Sequence, residues 1–160
     1  MALNLHLSPL RELFRAFAEC LRWCLKGISS VSSQAERGRY GEWRARQLLR
    51  RKGYLVLSVN WRNPHDRRDE IDLICKDREV LVFVEVRARA SSSQVSGYDS
   101  ITSRKRKALL KTCKAYLNHR RQRPEHFRFD VVEVDLPTDN SGTAEIFHHE
   151  NVALFPPRFH

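Results

Sequence analysis

The stretch DEIDLICKDREVLVFVEVRAR, from Asp69 to Arg89, constrains the fold more than any other part of this 160-residue chain. Two apolar runs are separated by the charged segment KDRE, which is the pattern of two largely buried strands joined by a turn. Yet Glu70, Asp72 and Glu85 interrupt these runs. Because burying a carboxylate is unfavourable unless it is paired or binds a cation, the acids require a chemical explanation.

Three helices are predicted from apolar residues that recur with a helical period. The first, from Leu10 to Ile28, is amphipathic and is followed by a serine-rich linker at Ser29–Gln34. The other two are basic: one runs from Arg37 towards Gly53, and the other from Ile101 to His119. Charged residues interrupt the first helix too often for a transmembrane span or a signal peptide. We therefore expect a cytoplasmic protein without stable membrane insertion.

The predicted strands combine with these helices into an α/β layer fold. The polar segment WRNPHDRR, residues 61–68, contains Pro64 and is predicted to be a loop between the first two strands. The order αβββαβ then implies a mixed β-sheet flanked by helices. We expect residues 1–36 to form the amphipathic helix and linker, and residues 37–160 to form the α/β domain. The predicted strands are Tyr54–Asn60, Glu70–Lys76, Val80–Arg89 and Phe127–Leu136, with a short last strand near Glu145–His148.

The net charge of +10 is concentrated in the centre of the chain. Residues 37–128 carry twenty-four Lys and Arg against ten Asp and Glu, whereas residues 129–160 carry one against six. Of the 29 basic residues, 22 are arginine, whose planar guanidinium binds phosphate through paired hydrogen bonds. A basic block of this size indicates a polyanionic partner, and nucleic acid is the commonest polyanion. A generally basic surface without a specific partner is the alternative.

Strand alternation determines which of the buried acids face each other. Glu85 shares a face with Arg87, and an even number of loop residues around Lys76–Val80 places Asp72 on that face as well. A two-residue loop would make Asp72 and Glu85 diagonal neighbours, and a four-residue loop would make them directly opposite. Either arrangement allows Mg²⁺, or Mn²⁺ in its place, to lie between the carboxylates. Such a cation activates water for phosphodiester hydrolysis.

These residues resemble a known nuclease core. Asp72, then twelve intervening residues, then Glu85, Val86 and Arg87 are similar to the Asp…Glu-x-Lys core of the PD-(D/E)XK superfamily, which has the restriction-endonuclease-like fold. The segments GRYGEWRARQLLRRKGYLVLSVNWR, DEIDLI, VFVEVRAR and RFDVVEV resemble the YraN-like family of predicted endonucleases within it, in order and in spacing. The resemblance spans residues 37–155. It implies a metal-dependent DNA endonuclease, with branched DNA among the expected substrates.

The resemblance also implies roles for individual residues. Asp72 and Glu85 would bind the metal together with the backbone carbonyl of Val86. Glu42 matches an acid that resolvase-like members add to the catalytic site, although an ordinary acid near a helix N-terminus is the alternative. Arg87 stands where the family has lysine. It can bind phosphate, but it cannot act as a general base because it stays protonated.

Three functions follow from these observations. The first is a magnesium-dependent nuclease, and the second is a nucleic-acid-binding module on the same fold that does not cleave, because Arg87 replaces the lysine. The third is an adaptor protein whose basic surface is incidental. A homodimer is a further expectation, because resolvase-like nucleases often pair.

Basic residues outside the acid pair are predicted to contact the phosphate backbone of DNA without reading its sequence. Lys105 or Lys107, on the helix from Ile101 to His119, is also expected to approach the acid pair, as the resemblance implies. The residues predicted to bind nucleic acid are Arg39, Arg44, Arg62, Arg89, Arg104, Lys105 and Lys107.

Overall fold

The computed structural model describes residue 14 and residues 17–23, 32–90, 101–137 and 143–156. The remaining parts of the predicted first helix and linker lie outside the described residues. The described helices are α1 (residues 17–23), α2 (Gln34–Arg51) and α3 (Ser103–His119). The strands are β1 (Leu55–Asn63), β2 (Asp66–Asp77), β3 (Val80–Ala90), β4 (His126–Leu136) and β5 (Glu145–His149).

The five strands form one mixed sheet in the order β1-β2-β3-β4-β5. Strands β1, β2 and β3 form an antiparallel meander, and α3 then connects β3 to the parallel strand β4. Strand β5 is antiparallel to β4. The predicted α/β class and the order αβββαβ are confirmed, and the architecture is that of the restriction-endonuclease-like fold.

Apolar side chains on the two faces of the sheet form two cores. One face packs against α2 and the other against α3, so the central strands are buried on both sides. This explains why residues 71–75 of β2 are all buried instead of alternating between core and solvent. The α2 core includes Trp43, Leu49, Leu73, Val84 and Val132, and the α3 core includes Ile74, Phe83, Leu109, Leu117 and Phe129.

Helix α2 approaches β3 closely at Gly41. A Cβ atom at this position would lie only 2.6 Å from the Cβ of Ala88. Carbon atoms pack best at about 3.5–4.0 Å, so a larger residue would push the helix away from the sheet. Gly41 therefore lets α2 hold the next residue, Glu42, close to the central strands.

Helix α2 begins earlier than the sequence pattern predicted. Ser33, placed in the linker, is its N-cap: the Ser33 hydroxyl accepts the N–H of Glu36, and the Glu36 carboxylate accepts the N–H of Ser33. This reciprocal capping box satisfies two N–H groups at the helix start. The predicted boundary between residues 36 and 37 therefore falls inside α2.

The predicted polar loop at residues 61–68 was wrong. Only Pro64 and His65 connect the two strands, and the other residues of the segment belong to β1 or β2. The two strands continue as a largely exposed ribbon, across which Arg62 pairs with Glu70. Apolar alternation could not identify this ribbon, because strands exposed on both faces need no apolar side chains.

Helix α1 packs against α2. The ring of Trp23 meets the ring of Tyr40 edge-on, with centroids 5.3 Å apart, and only 6% of Trp23 is exposed. A second link is the ion pair between Glu19 and Arg46, at 2.8 Å. Within the described part of the chain, no helix is long and apolar enough to cross a membrane.

Candidate metal centre

The predicted acid pair lies where β2 parts from β3. The hairpin turn contains two residues, Arg78 and Glu79, and the ladder runs from Asp77↔Val80 to Leu73↔Val84. Continued by one step, this register places Asp72 directly opposite Glu85, rather than diagonally as expected for a two-residue loop. The ladder stops at Leu73↔Val84, and Asp72 Oδ2 instead accepts the N–H of Val86 at 2.7 Å.

Glu85 is buried between two cationic side chains. Its side chain is 3% exposed, with Oε1 lying 3.5 Å from Arg87 Nη1 and Oε2 lying 3.2 Å from Lys105 Nζ. Among the described residues none donates a well-aligned hydrogen bond to Oε2, although the Lys105 ammonium is close enough to form an ion pair with it. This buried oxygen retains the capacity to bind a further partner.

Glu42 approaches the acid pair from the α2 side of the sheet. Asn60 Nδ2 donates to Glu42 Oε2 at 3.2 Å, and Asn60 has the left-handed backbone conformation, with φ of 50°. Asparagine tolerates this conformation better than most residues do. The role of Asn60 was not predicted from the sequence, where the available signal was an asparagine at the end of a predicted strand. Glu70 is held by Arg62, which donates to its Oε2 through Nε at 2.8 Å.

The acids are held in an environment that disfavours their charged forms. Burial, followed by the charge of Glu85, raises the pKa of Asp72 to about 8, against the opposing effects of the Val86 N–H and Lys105. Burial also raises the pKa of Glu85, although Lys105 and Arg87 oppose this. The pKa of Glu42 is raised by burial as well. A divalent cation bound by these acids would lower their pKa values, because it favours the ionised carboxylates.

The donor atoms fit magnesium better than zinc. Among the described residues, no three His, Cys, Asp or Glu side chains come together as a complete ligand set. Mg²⁺ does not require one, since it binds one or two carboxylates and keeps several waters. In a strand, the N–H and C=O of one residue point to the same side. Because the Val86 N–H points towards Asp72, the Val86 carbonyl points to that side as well.

The residues predicted to bind nucleic acid lie in different environments. Lys105 contacts Glu85, as expected, whereas Arg39, Arg104 and Lys107 are exposed. Arg62 is paired with Glu70, and the Arg89 guanidinium binds two carboxylates of β4 at 2.9 Å each. Arg44 lies over the rings of Tyr40 and Trp43. The role of these residues in binding nucleic acid stays a prediction.

Comparison with known sequences places the chain in a family. A sequence model described as "Uncharacterised protein family UPF0102" matches residues 41–134. The chain belongs to the UPF0102 family. It is 35% identical to the UPF0102 protein of Chlorobium phaeobacteroides, over 72% of this chain and 89% of that protein. It is 36% identical to the one from Chlorobium chlorochromatii, over 78% of this chain and 94% of that protein.

The predicted YraN-like resemblance is confirmed at the level of the UPF0102 family. The match includes Glu42, Asp72, Glu85, Arg87 and Lys105, and therefore covers the whole candidate centre. Helix α1 lies before the matched residues. The UPF0102 match thus contains the acid pair.

Asp72→Asn is expected to raise the free energy of unfolding, relative to the native protein, more at pH 8–9 than at pH 5. The folded pKa of Asp72, about 8, lies above the ordinary value of about 3.9. Between these values the folded chain holds a proton that the unfolded chain has lost, so the free energy of unfolding falls as the pH rises. Asn cannot ionise and can still accept the Val86 N–H, so its stabilising effect should grow by up to about 4 kcal/mol between pH 5 and pH 9.

The measurement is urea unfolding at pH 5 and pH 9 in the presence of EDTA. Glu79→Gln is the matched control, because the Glu79 side chain is 88% exposed at the hairpin turn. An equal stability change for Asp72→Asn at both pH values would contradict the assignment of a raised pKa to Asp72.

Proposed function

We propose that this UPF0102 protein is a metal-dependent DNA endonuclease of the PD-(D/E)XK superfamily that hydrolyses phosphodiester bonds. The observation that carries the proposal is the buried pair Asp72 and Glu85, with Lys105 and Arg87 against Glu85. Two adjacent buried carboxylates destabilise a fold unless a cation compensates them. The raised pKa values show that the two basic side chains do not compensate them fully.

Each residue of the centre has a distinct role in this proposal. Asp72, Glu85 and the Val86 carbonyl would hold Mg²⁺ or Mn²⁺, which when bound supplies an acidified water and neutralises charge on the scissile phosphate. Lys105 and Arg87 would stabilise the negative charge that builds on the phosphoryl oxygens. Glu42, oriented by Asn60, adds an acceptor for a water at the edge of the centre.

The alternative function is binding without cleavage, and Arg87 is the observation that favours it. Arginine cannot lose a proton at working pH, so it cannot replace a lysine that acts as a base. Lys105 favours cleavage, because it brings an ammonium group from α3 to the same carboxylate that Arg87 contacts. DNA is the partner that best fits the positive charge and the resemblance, and branched DNA is the substrate class to test first.

The test is cleavage of labelled linear, flapped and four-way-junction DNA in the presence of Mg²⁺, Mn²⁺ or EDTA. Gel-shift binding to the same DNAs is measured in parallel, and Glu85→Gln is purified identically to exclude a contaminating nuclease. Metal-dependent cutting by the native protein alone supports the endonuclease. Salt-sensitive binding without cutting supports the binding module, and the absence of both overturns the two nucleic-acid functions.

Arg87→Lys is expected to increase cleavage by about tenfold, because a lysine there can both stabilise charge and exchange a proton. Arg123→Lys is the matched control, since Arg123 is exposed and lies outside the centre. The rate constant is measured in single-turnover reactions with saturating Mg²⁺. A loss of cleavage in Arg87→Lys would show instead that the guanidinium itself is required and that Lys105 already supplies the ammonium.

A further inference from the structure

A basic groove lies between α1, α2 and the outer edge of β1. Its volume is about 460 Å³, and it is lined by four arginines and two glutamates. The glutamates are Glu19 and Glu42. The arginines are Arg22, Arg39, Arg46 and Arg50. We call this the α1–β1 groove.

Two of the arginines in the α1–β1 groove are available to a ligand. Arg46 is paired with Glu19, and the Arg22 guanidinium lies 5.0 Å from the centre of the Trp23 ring. Arg39 and Arg50, by contrast, are exposed and form no ion pair with another described residue. They lie eleven residues apart, close to three helical turns, and so share one side of α2. The helical wall therefore presents a row of phosphate-binding groups.

The opposite wall is formed by β1 and differs in character. Strand β1 is at the edge of the sheet, so the backbone N–H and C=O groups on its outer side have no neighbouring strand within the described part of the chain. Leu57 and Val59 line the groove and are 40% and 39% exposed, so they present apolar surface to it. A cationic wall facing an apolar wall suits a ligand with phosphates on one side and flat bases on the other.

The groove leads to the acid pair. Glu42 and Asn60 line it, and they are the residues that approach the acid pair from the α2 side. Glu42 is close enough to Asp72 for its charge to act on that carboxylate. A chain lying along Arg50 and Arg39 would therefore pass Glu42, which lies between them on α2 and beside the acid pair.

We propose that the α1–β1 groove binds a single strand of nucleic acid and guides it to the acid pair. The volume lies within the range of about 300–1,000 Å³ that encloses a small ligand, which is room for about one or two nucleotides and too little for a duplex. This inference rests on the proposed function, and it names the substrate class as DNA with a single-stranded segment. The matched residues 41–134 include Glu42, Arg46, Arg50 and residues 56–60, so most of the groove lies within the UPF0102 match.

The test is fluorescence anisotropy with fluorescein-labelled oligo-dT, using the full-length protein in EDTA so that no cleavage occurs. The variant is Arg39→Ala/Arg50→Ala, and the matched control is Arg121→Ala/Arg123→Ala, which removes two exposed arginines outside the groove. We expect the groove variant to weaken oligo-dT binding about tenfold or more and to reduce the slope of log K against log salt by about 1.4. Blunt duplex binding should change less.

Several outcomes would overturn the proposal. These are unchanged oligo-dT binding by the groove variant, an equal loss in the control variant, or displacement of oligo-dT by poly-glutamate as effectively as by unlabelled oligo-dT. The last result would identify a general anion site. Folding of each variant is checked by thermal unfolding.

The proposals for the groove and for the nuclease can be rejected independently. If the native protein does not cleave DNA but the groove variant loses oligo-dT binding, the groove proposal is supported and the nuclease proposal is rejected. Cutting that requires Asp72 and Glu85, together with unchanged oligo-dT binding by the groove variant, would retain the nuclease and reject the groove.

Discussion

Asp72→Asn and Glu85→Gln, made separately, are each expected to reduce Mg²⁺-dependent DNA cleavage by at least about a hundredfold. Mutating a residue that only hydrogen-bonds to a metal ligand already lowers metal affinity or activity about 10–100-fold, so loss of the ligand itself should lower cleavage more. Both changes preserve side-chain volume and remove one ionisable carboxyl group. Binding of DNA in EDTA should not weaken, because neither change adds negative charge to the protein.

Two measurements check this expectation together. Single-turnover cleavage gives the loss of rate, and isothermal titration with Mg²⁺ or Mn²⁺ gives the loss of metal affinity. Glu79→Gln removes one exposed carboxylate from the same hairpin and should behave like the native protein. Cleavage that survives in either acid variant would exclude the pair as the catalytic centre, whatever the Glu79 control shows.

The acid pair could be predicted from sequence because it depends on a short-range rule. Alternation along a strand places Glu85 and Arg87 on one face, and the hairpin brings Asp72 opposite. The bond from the Val86 N–H to Asp72 could not be predicted, because it depends on where β2 parts from β3. The approach of Lys105 likewise depends on how α3 packs on the sheet, which periodicity does not determine.

Other features were missed although a local signal existed. The pattern Ser33-x-x-Glu36 matches a capping box, yet the serine-rich context favoured a linker. Arg89 was predicted to contact nucleic acid, but its guanidinium pairs with Glu133 and Asp135 of the parallel neighbour β4. In the register of the sheet these acids lie opposite Arg87 and Arg89. Predicting such pairings between distant segments requires knowledge of the strand order, which no single segment of the sequence contains.

A buried polar network near the β2–β3 turn illustrates the same difficulty. Asp130 is fully buried and accepts the N–H of Asn151 at 2.9 Å and Arg128 Nε at 3.0 Å, and His148 Nε2 lies 2.9 Å from it. Arg128 also donates to Asp77 at 3.0 Å. These residues come from three strands and from the segment after β5. The sequence alone placed His148 only at the end of a short predicted strand.

Asp130→Ala is expected to destabilise the protein by about 1–3 kcal/mol, since it leaves the Asn151 N–H without its acceptor and removes one of the partners of the half-buried Arg128. Asp130→Asn, which keeps an acceptor, should cost less. The matched control is Glu79→Ala, which breaks an exposed ion pair with Lys76 and should cost less than about 1 kcal/mol. The free energy of unfolding is measured with urea at pH 7.

The pH dependence gives an independent check of the network. Burial alone would raise the pKa of Asp130, but hydrogen bonds from His148, the Asn151 N–H and Arg128 outweigh it and lower the pKa. A lowered carboxyl pKa stabilises the fold fully above the unfolded value of about 3.9, and this contribution is lost as the pH falls through the folded value. The difference between native protein and Asp130→Ala should therefore shrink between pH 5 and pH 2–3. A difference that stays constant over this range would mean that Asp130 stabilises the fold through packing and not through its charge.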